Sequence, residues 1–246
     1  MTGSRAVAIW GQVAAHAAAH DRRVSVADVC AVAVSSSQLS GAWVVATRDN
    51  EPDFVMCVTD TASERLAELQ LTLGEGPCYD VLASAAPVLA ATLGEEEFSR
   101  RWPAFTPAAC QLGAGAVLAF PLIVGAIQAG VLGLYRGSPG PLPERQFGDL
   151  LLLADLATVM LLGAGRGDVE DGAALDGQAR DLARHRAEID QATGMLTVQL
   201  GVTAAEAFAR LRAYAYAQDR RLADVAADIV ARRLRLRRDQ GQDRGP

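Results

Sequence analysis

From Trp102 to Tyr135 the chain carries no charged side chain. A run of this kind must leave water, either in a bilayer or in a protein core. The stretch 113–135 is long enough to span a membrane, yet it contains Pro121 and glycines at 113, 115, 125, 130 and 133. Its β-branched residues cluster in two short groups, "AVLAFPLIV" and "AGVLGLY", around "GAIQ". Short apolar runs punctuated by glycine read as buried strands around a tight connection. Two central strands are therefore predicted here, and no transmembrane segment.

The flanking sequence supplies what would cover those strands. Residues 5–20 read as an amphipathic helix, and a second helix opens at Ser25, where "SVAD" gives an N-cap and a first-turn acid. "GAWVVATR" and "DFVMCVTD" are strand-like runs separated by the turn signal "DNEP". A helix at about 61–70 follows, then a glycine-rich loop "LGEGPCYD", a short strand near 87–91 and a helix around 95–111. After the two central strands, 143–163 reads as one long helix, apolar almost all round, with only Asp155 interrupting it after Asp149. So much apolar surface predicts a partner, here a second copy of the same helix. The order suits an α+β fold, an antiparallel sheet with helices segregated to one side.

The C-terminal segment has a different character. In 178–200, Leu182, Ile189, Ala192, Leu196 and Leu200 recur on one helical face. "TAAE" is a capping box with Thr203 at N-cap and Glu206 at N3, opening a second helix with Ala207, Phe208, Leu211 and Ala215 inside. Leu222, Val225, Ala226, Ile229 and Val230 give the spacing of a third, taken as 221–238. The organisation predicted is an α+β domain with N-terminal helices over 1–163, a small acidic linker at 164–177, an all-α three-helix domain over 178–238 and a polar tail at 239–246.

Charge divides the chain at the same place. Residues 1–177 hold ten arginines against twenty acidic residues, whereas 178–246 hold thirteen arginines against nine. A basic C-terminal unit behind an acidic body points to an anionic partner. There is no lysine at all, which excludes a P-loop, kinase-type or Schiff-base lysine. Cys30, Cys57, Cys78 and Cys110 are widely spaced without a C-x-x-C pair, and read as reduced thiols in a cytoplasmic protein. Cys78 has no histidine between His20 and His185 to activate it, and His16 and His20 share a helix face without a third ligand nearby. No enzyme is predicted, and no cofactor is identified.

"IDQATGMLTVQLGVTAAEAFARLRAYAYAQDRRLADVAADIV" closely resembles the ANTAR domain of bacterial transcription antiterminators, an RNA-binding three-helix module. The resemblance rests on Ile189, Gln191, Ala192, Gly194 and Leu196, on Glu206, Ala207, Phe208, Leu211, Arg212 and Ala215, and on Arg220, Arg221, Leu222, Asp224, Val225, Ala226 and Ile229, and covers nearly the whole of 185–231. "GEGPCYD", "WPAF", "PL" at 121–122 and "GVLGLY" resemble, more loosely, the GAF domains that commonly precede ANTAR in high-GC bacteria, where an asparagine often stands at the position of Gly133. Together these imply a signal-responsive antitermination regulator. A GAF domain would take a small-molecule ligand or a redox signal and mediate a homodimer, and the ANTAR domain would bind RNA stem-loops near terminators.

The RNA-binding residues so implied are Gln191, Thr193, Gly194, Arg212, Arg220 and Arg221. Guanidinium groups bind phosphates bidentately and stack on splayed-out loop bases. Each residue also has a plainer reading. Gly194 would serve close helix–helix contact, and the arginines a solvated face with ion pairs such as Arg221 to Asp224. Thr193 departs from the family, which usually has lysine there. Two other readings stay open: a dimerisation protein whose ANTAR unit no longer binds RNA, and a helix-turn-helix-like DNA binder.

Overall fold

The computed structural model describes residues 2–48, 51–163 and 177–236, so Asp49 and Asn50 of the predicted turn, most of the predicted linker and the polar tail lie outside the described residues. Two compact units are present, Met1–Leu182 and Ala183–Pro246.

In the first unit α1 (Thr2–Ala19) and α2 (Val26–Ser37) precede the strands β1 (Gly41–Arg48) and β2 (Glu51–Val58). Then come α3 (Thr61–Leu73), α4 (Pro77–Ser84), β3 (Val88–Ala90), α5 (Glu96–Arg101) and α6 (Phe105–Gln111). The strands β4 (Ala116–Val124) and β5 (Ile127–Arg136) and the long helix α7 (Glu144–Gly163) complete it. The charge-free stretch thus forms α6 and the two adjacent strands β4 and β5, as its composition predicts. The sheet order is β2-β1-β5-β4-β3, antiparallel throughout.

Helices cover both faces of this sheet, not one as the element order suggested. Trp43 and Val45 of β1 face Leu66 of α3 and Val81 of α4, while Ala42 and Val44 face Val29 and Cys30 of α2 with Leu150 and Leu153 of α7. The cause lies in the strands: β4 buries five consecutive residues, Ala116 to Phe120, so both of its faces need cover.

Two further boundaries differ from expectation. The glycine-rich loop is short, because Pro77 takes the first position of a helix behind an N-cap at Gly76, whose φ of 124° favours glycine. The predicted helix 95–111 is broken at Trp102, because Pro103 disfavours helical backbone at the residue before it.

α7 buries Leu150, Leu153, Ala154, Ala157 and Thr158 on the sheet and exposes Leu151, Val159 and Leu162 on its outer side. It is the one helix among the described residues long and apolar enough to cross a membrane. Beside it, α1 exposes Val7 and Trp10, and the two helices line a groove of Ala6, Ile9, Trp10, Leu152, Leu156 and Val159 with Asp155 at its edge.

The second unit contains all but the first residues of α8 (Gly177–Leu200), with α9 (Ala204–Ala217) and α10 (Leu222–Val230). Ala192, Leu196, Leu200, Ala207, Leu211, Ala215, Leu222, Val225, Ala226 and Ile229 form its core, as their spacing predicts. The capping box is present: Thr203 Oγ1 accepts the Glu206 N–H while Glu206 Oε2 accepts the Thr203 N–H. α10 ends at Val230, well short of the predicted 238. Arg232 adopts φ 59°, Arg233 and Leu234 donate their N–H groups to the Asp228 carbonyl, and Leu236 returns to the core.

Candidate nucleic-acid interface

In the first unit the residues read as diagnostic hold one another. Glu75 Oε1 accepts the backbone N–H groups of Ala104 and Phe105, and Asp80 accepts from Arg101 Nε and from Trp102 Nε1 at 3.0 Å. Thus "GEGPCYD" and "WPAF" form one brace between α4 and the α5–α6 corner. Gln70 Oε1 accepts the Cys78 N–H, and a Cβ at Gly76 would meet the Gln70 side chain at 2.7 Å, so the turn is fitted to glycine. Burial pushes the Cys78 thiol up to about 12, with Trp43 and Gln70 acting in the opposite direction. Burial thus favours the protonated thiol at neutral pH, which weighs against a nucleophilic role. Cys78 is buried, on a helix rather than in the loop that the glycines predict.

Trp43, Phe98, Trp102 and Phe105 belong to the core on this face of the sheet. Trp43 stands opposite Gly133 across β1 and β5, and its indole lies over the glycine so closely that a Cβ there would come within 2.1 Å of Cε2. Trp102 packs edge-on against Phe105 at 5.9 Å and stacks with Phe98 at 5.4 Å.

His16 contacts buried Asp28, with Nδ1 2.7 Å from Oδ1. Arg22 and Ser25 complete the shell of the same carboxylate and tie the end of α1 to the start of α2. Burial acts to raise Asp28, but the hydrogen bonds from His16 and Ser25, with the Arg22 charge, outweigh it and hold its carboxyl below the usual range.

The second unit presents the implied RNA-binding residues on three separate elements. Gln191, Thr193 and Gly194 lie on α8. Gly194 falls midway between the core residues Ala192 and Leu196, about 200° from each at 100° per residue, so it occupies the outward face. It is exposed, and a Cβ there would meet nothing within 4 Å. Close helix–helix contact is therefore not the reason for this glycine, and the bundle's close-packed face is supplied by the alanines instead. Gln191 is exposed one turn earlier. Thr193 is half-buried, and its hydroxyl donates to the Ile189 carbonyl at 2.8 Å, which leaves the oxygen able to accept only.

Arg212 lies on α9 with its guanidinium 5.7 Å from the Phe208 ring centroid, a cation–π arrangement that orients the fork. Arg220 and Arg221 are in the turn before α10, Arg221 as its N-cap. Arg220 donates to Asp228 at 2.7 Å, and Arg233 donates to the other oxygen of the same carboxylate at 2.7 Å. Asp228 escaped the sequence reading because its pairing with Arg233 depends on the chain reversing after α10. Hydrogen bonds from those two arginines hold its carboxyl below the ordinary range, and the hydrogen bond to Asp228 in turn raises Arg220. Tyr216 is exposed on α9, whereas Tyr214 packs partly against the core.

Comparison with known proteins separates the two units. Residues 177–230 match the family model of the ANTAR domain. No curated protein matches the chain. Among solved structures, the GAF domain of a phosphoenolpyruvate-protein phosphotransferase from Acinetobacter aligns at 15% identity and a TM-score of 0.48, over 67% of this chain and 94% of its own. The corresponding GAF domain from Coxiella burnetii aligns at 16% identity and a TM-score of 0.49, over 65% and 95%. The chain carries an ANTAR domain at 177–230, behind an N-terminal α+β unit of five antiparallel strands and helices.

Proposed function

We propose that this protein is a signal-responsive regulator that binds paired RNA stem-loops near transcription terminators and favours read-through. The observation that carries the reading is Gly194. An exposed glycine inside a long helix costs about 1 kcal/mol against alanine, and no packing contact compensates here. What remains is a bare strip of backbone beside Gln191 and Thr193, open to a partner that must approach closely. Arg212, Arg220 and Arg221 on the neighbouring elements supply the charge that an RNA backbone requires. The protein acts by binding, not by catalysis.

The first unit takes the signal and joins two copies. Val7 and Trp10 of α1 with Leu151, Val159 and Leu162 of α7 are half of the large apolar side chains exposed among the described residues. Two adjacent helices of this length present a face of about 30 by 20 Å, close to the area that each partner of a stable dimer contributes. A homodimer would place two ANTAR domains on one paired stem-loop target. A cytoplasmic location follows from an RNA partner.

The test is crosslinking and sequencing of RNA bound to the full-length protein in its host, beside a Gly194→Asp, Arg212→Ala variant. Enrichment of paired hairpins next to terminators, lost in the variant, is the expected result. Equal recovery from both proteins sinks the reading.

A second reading is a dimerisation protein with an ANTAR unit that binds no RNA. It is favoured by Thr193, whose hydroxyl hydrogen is already given to the helix, and by Arg220, which is already paired. Absence of salt-dependent binding to hairpin RNA would select it. A DNA-reading third helix is disfavoured, because α10 ends before Arg232, Arg233 and Arg235.

A further inference from the structure

Cys30 and Cys57 are far apart in sequence, on α2 and near the end of β2, and the packing of α2 on β1 and β2 brings them together. Their sulfurs are 3.1 Å apart in the core between the sheet, α1, α2 and α7. That is about 1 Å more than the length of a disulfide bond. Cys30 is completely buried and Cys57 is 8% exposed, on a strand at the sheet's edge. The other two cysteines are elsewhere: Cys78 belongs to the core on the opposite face of the sheet, and Cys110 is exposed on α6.

We propose that Cys30 and Cys57 are an oxidisable dithiol that closes to an intramolecular disulfide in response to a small hydroperoxide. Cys57, the less buried of the two and on the edge strand, attacks the peroxide as thiolate. An S–O bond forms, the O–O bond breaks, and the departing oxygen leaves as water after taking a proton. The Cys30 sulfur then attacks the sulfenic sulfur of Cys57. The S–S bond forms, the S–O bond breaks, and the oxygen leaves as a second water with the proton of Cys30. Two thiols lose two electrons and one hydrogen peroxide becomes two waters.

The hydrogen bond to Cys57, burial and the nearby Asp28 charge all raise Cys30, so it holds its proton until the sulfenic oxygen accepts it. This suits the second, resolving position and makes the response slow compared with low-pKa thiol sensors. Closure draws α2 toward β2. Since α2 also packs on α1 and α7, the movement reaches the helices whose outer face is proposed above to join two copies. Only this last consequence rests on that reading; the chemistry does not.

The experiment treats the full-length, reduced protein, in a Cys110→Ser background, with a molar excess of hydrogen peroxide. Denaturation, alkylation and non-reducing peptide mapping follow. The expected result is a Cys30–Cys57 linked peptide lighter by two hydrogen atoms, with Cys78 still free for alkylation. Closing the loop should also raise the thermal midpoint by about 5 °C or more, reversibly with dithiothreitol. Cys30→Ala and Cys57→Ala should each abolish both effects. If neither variant folds, the map of the parent protein decides alone. Alkylation of both Cys30 and Cys57 after oxidation, or sulfinate at either without a linked peptide, overturns the proposal. RNA binding is not a readout, so failure here leaves the antitermination reading untouched.

Discussion

Glu75 Oε1 accepts the backbone N–H of Phe105 at 2.7 Å and that of neighbouring Ala104 at the same distance. One carboxylate thereby satisfies two orphan donors at the start of α6, which has no capping side chain of its own. Glu75→Ala should cost about 1–3 kcal/mol, and Glu75→Gln distinctly less, because an amide oxygen still accepts but without charge. Urea unfolding of the three proteins checks this. Equal midpoints would mean that solvent caps the helix equally well.

Trp43 and Gly133 make a second close relationship. Gly133→Ala should destabilise by about 1–3 kcal/mol through overpacking, because the added methyl falls inside the indole. Pairing it with Trp43→Leu should recover part of the loss, so that the double variant is more stable than the sum of the two singles predicts. Strict additivity in a thermal-unfolding cycle would show that the two sites do not meet.

Gly194 separates stability from binding. Gly194→Ala should stabilise the C-terminal bundle by about 1 kcal/mol, since nothing opposes the new methyl and the helix gains propensity. The same variant should bind hairpin RNA more weakly, and Gly194→Asp much more weakly. Hydrogen exchange in α8 and filter binding measure the two effects. Greater stability with unchanged RNA affinity would remove the functional reading of this glycine.

Asp28 should give the first unit an acid-sensitive contribution. Its folded pKa is lowered, so the contribution is complete above the unfolded value of about 3.9 and is lost as pH falls through the folded one. Asp28→Asn should lower the thermal midpoint at neutral pH and flatten its fall in the acidic window. Parallel curves for the two proteins between neutrality and strong acid would contradict this.

Val159 is 66% exposed on the outer side of α7, where an arginine costs little in the folded monomer. Val159→Arg should leave the circular dichroism spectrum intact and shift the sedimentation profile from dimer to monomer. A parent protein that sediments as a monomer at micromolar concentration would end the dimer proposal.

The sequence speaks clearly where the determinants are local. The charge-free stretch after Trp102 becomes α6 and the adjacent strands β4 and β5, and Thr203 with Glu206 opens α9. It speaks less clearly where distant residues decide. The arginines after Val230 favour helix on propensity alone, yet the left-handed turn at Arg232 and the burial of Leu236 end α10 early. The pairing of Arg220 with Asp228, and the meeting of Cys30 with Cys57, arise only once elements pack. Gly194 was legible as an anomaly in the sequence, but only its open surroundings distinguish a packing role from an accessible one.

The family match ends at residue 230, whereas the bundle's core includes Leu236, whose carbonyl accepts a hydrogen bond from Gln199 on α8. The inherited module and the cooperative folding unit therefore have different edges. A fragment cut where the resemblance stops would keep every matched position and still lose the residues that close the hydrophobic interior. Such a fragment could fail to bind for lack of a fold, and its silence would be mistaken for a lost recognition surface.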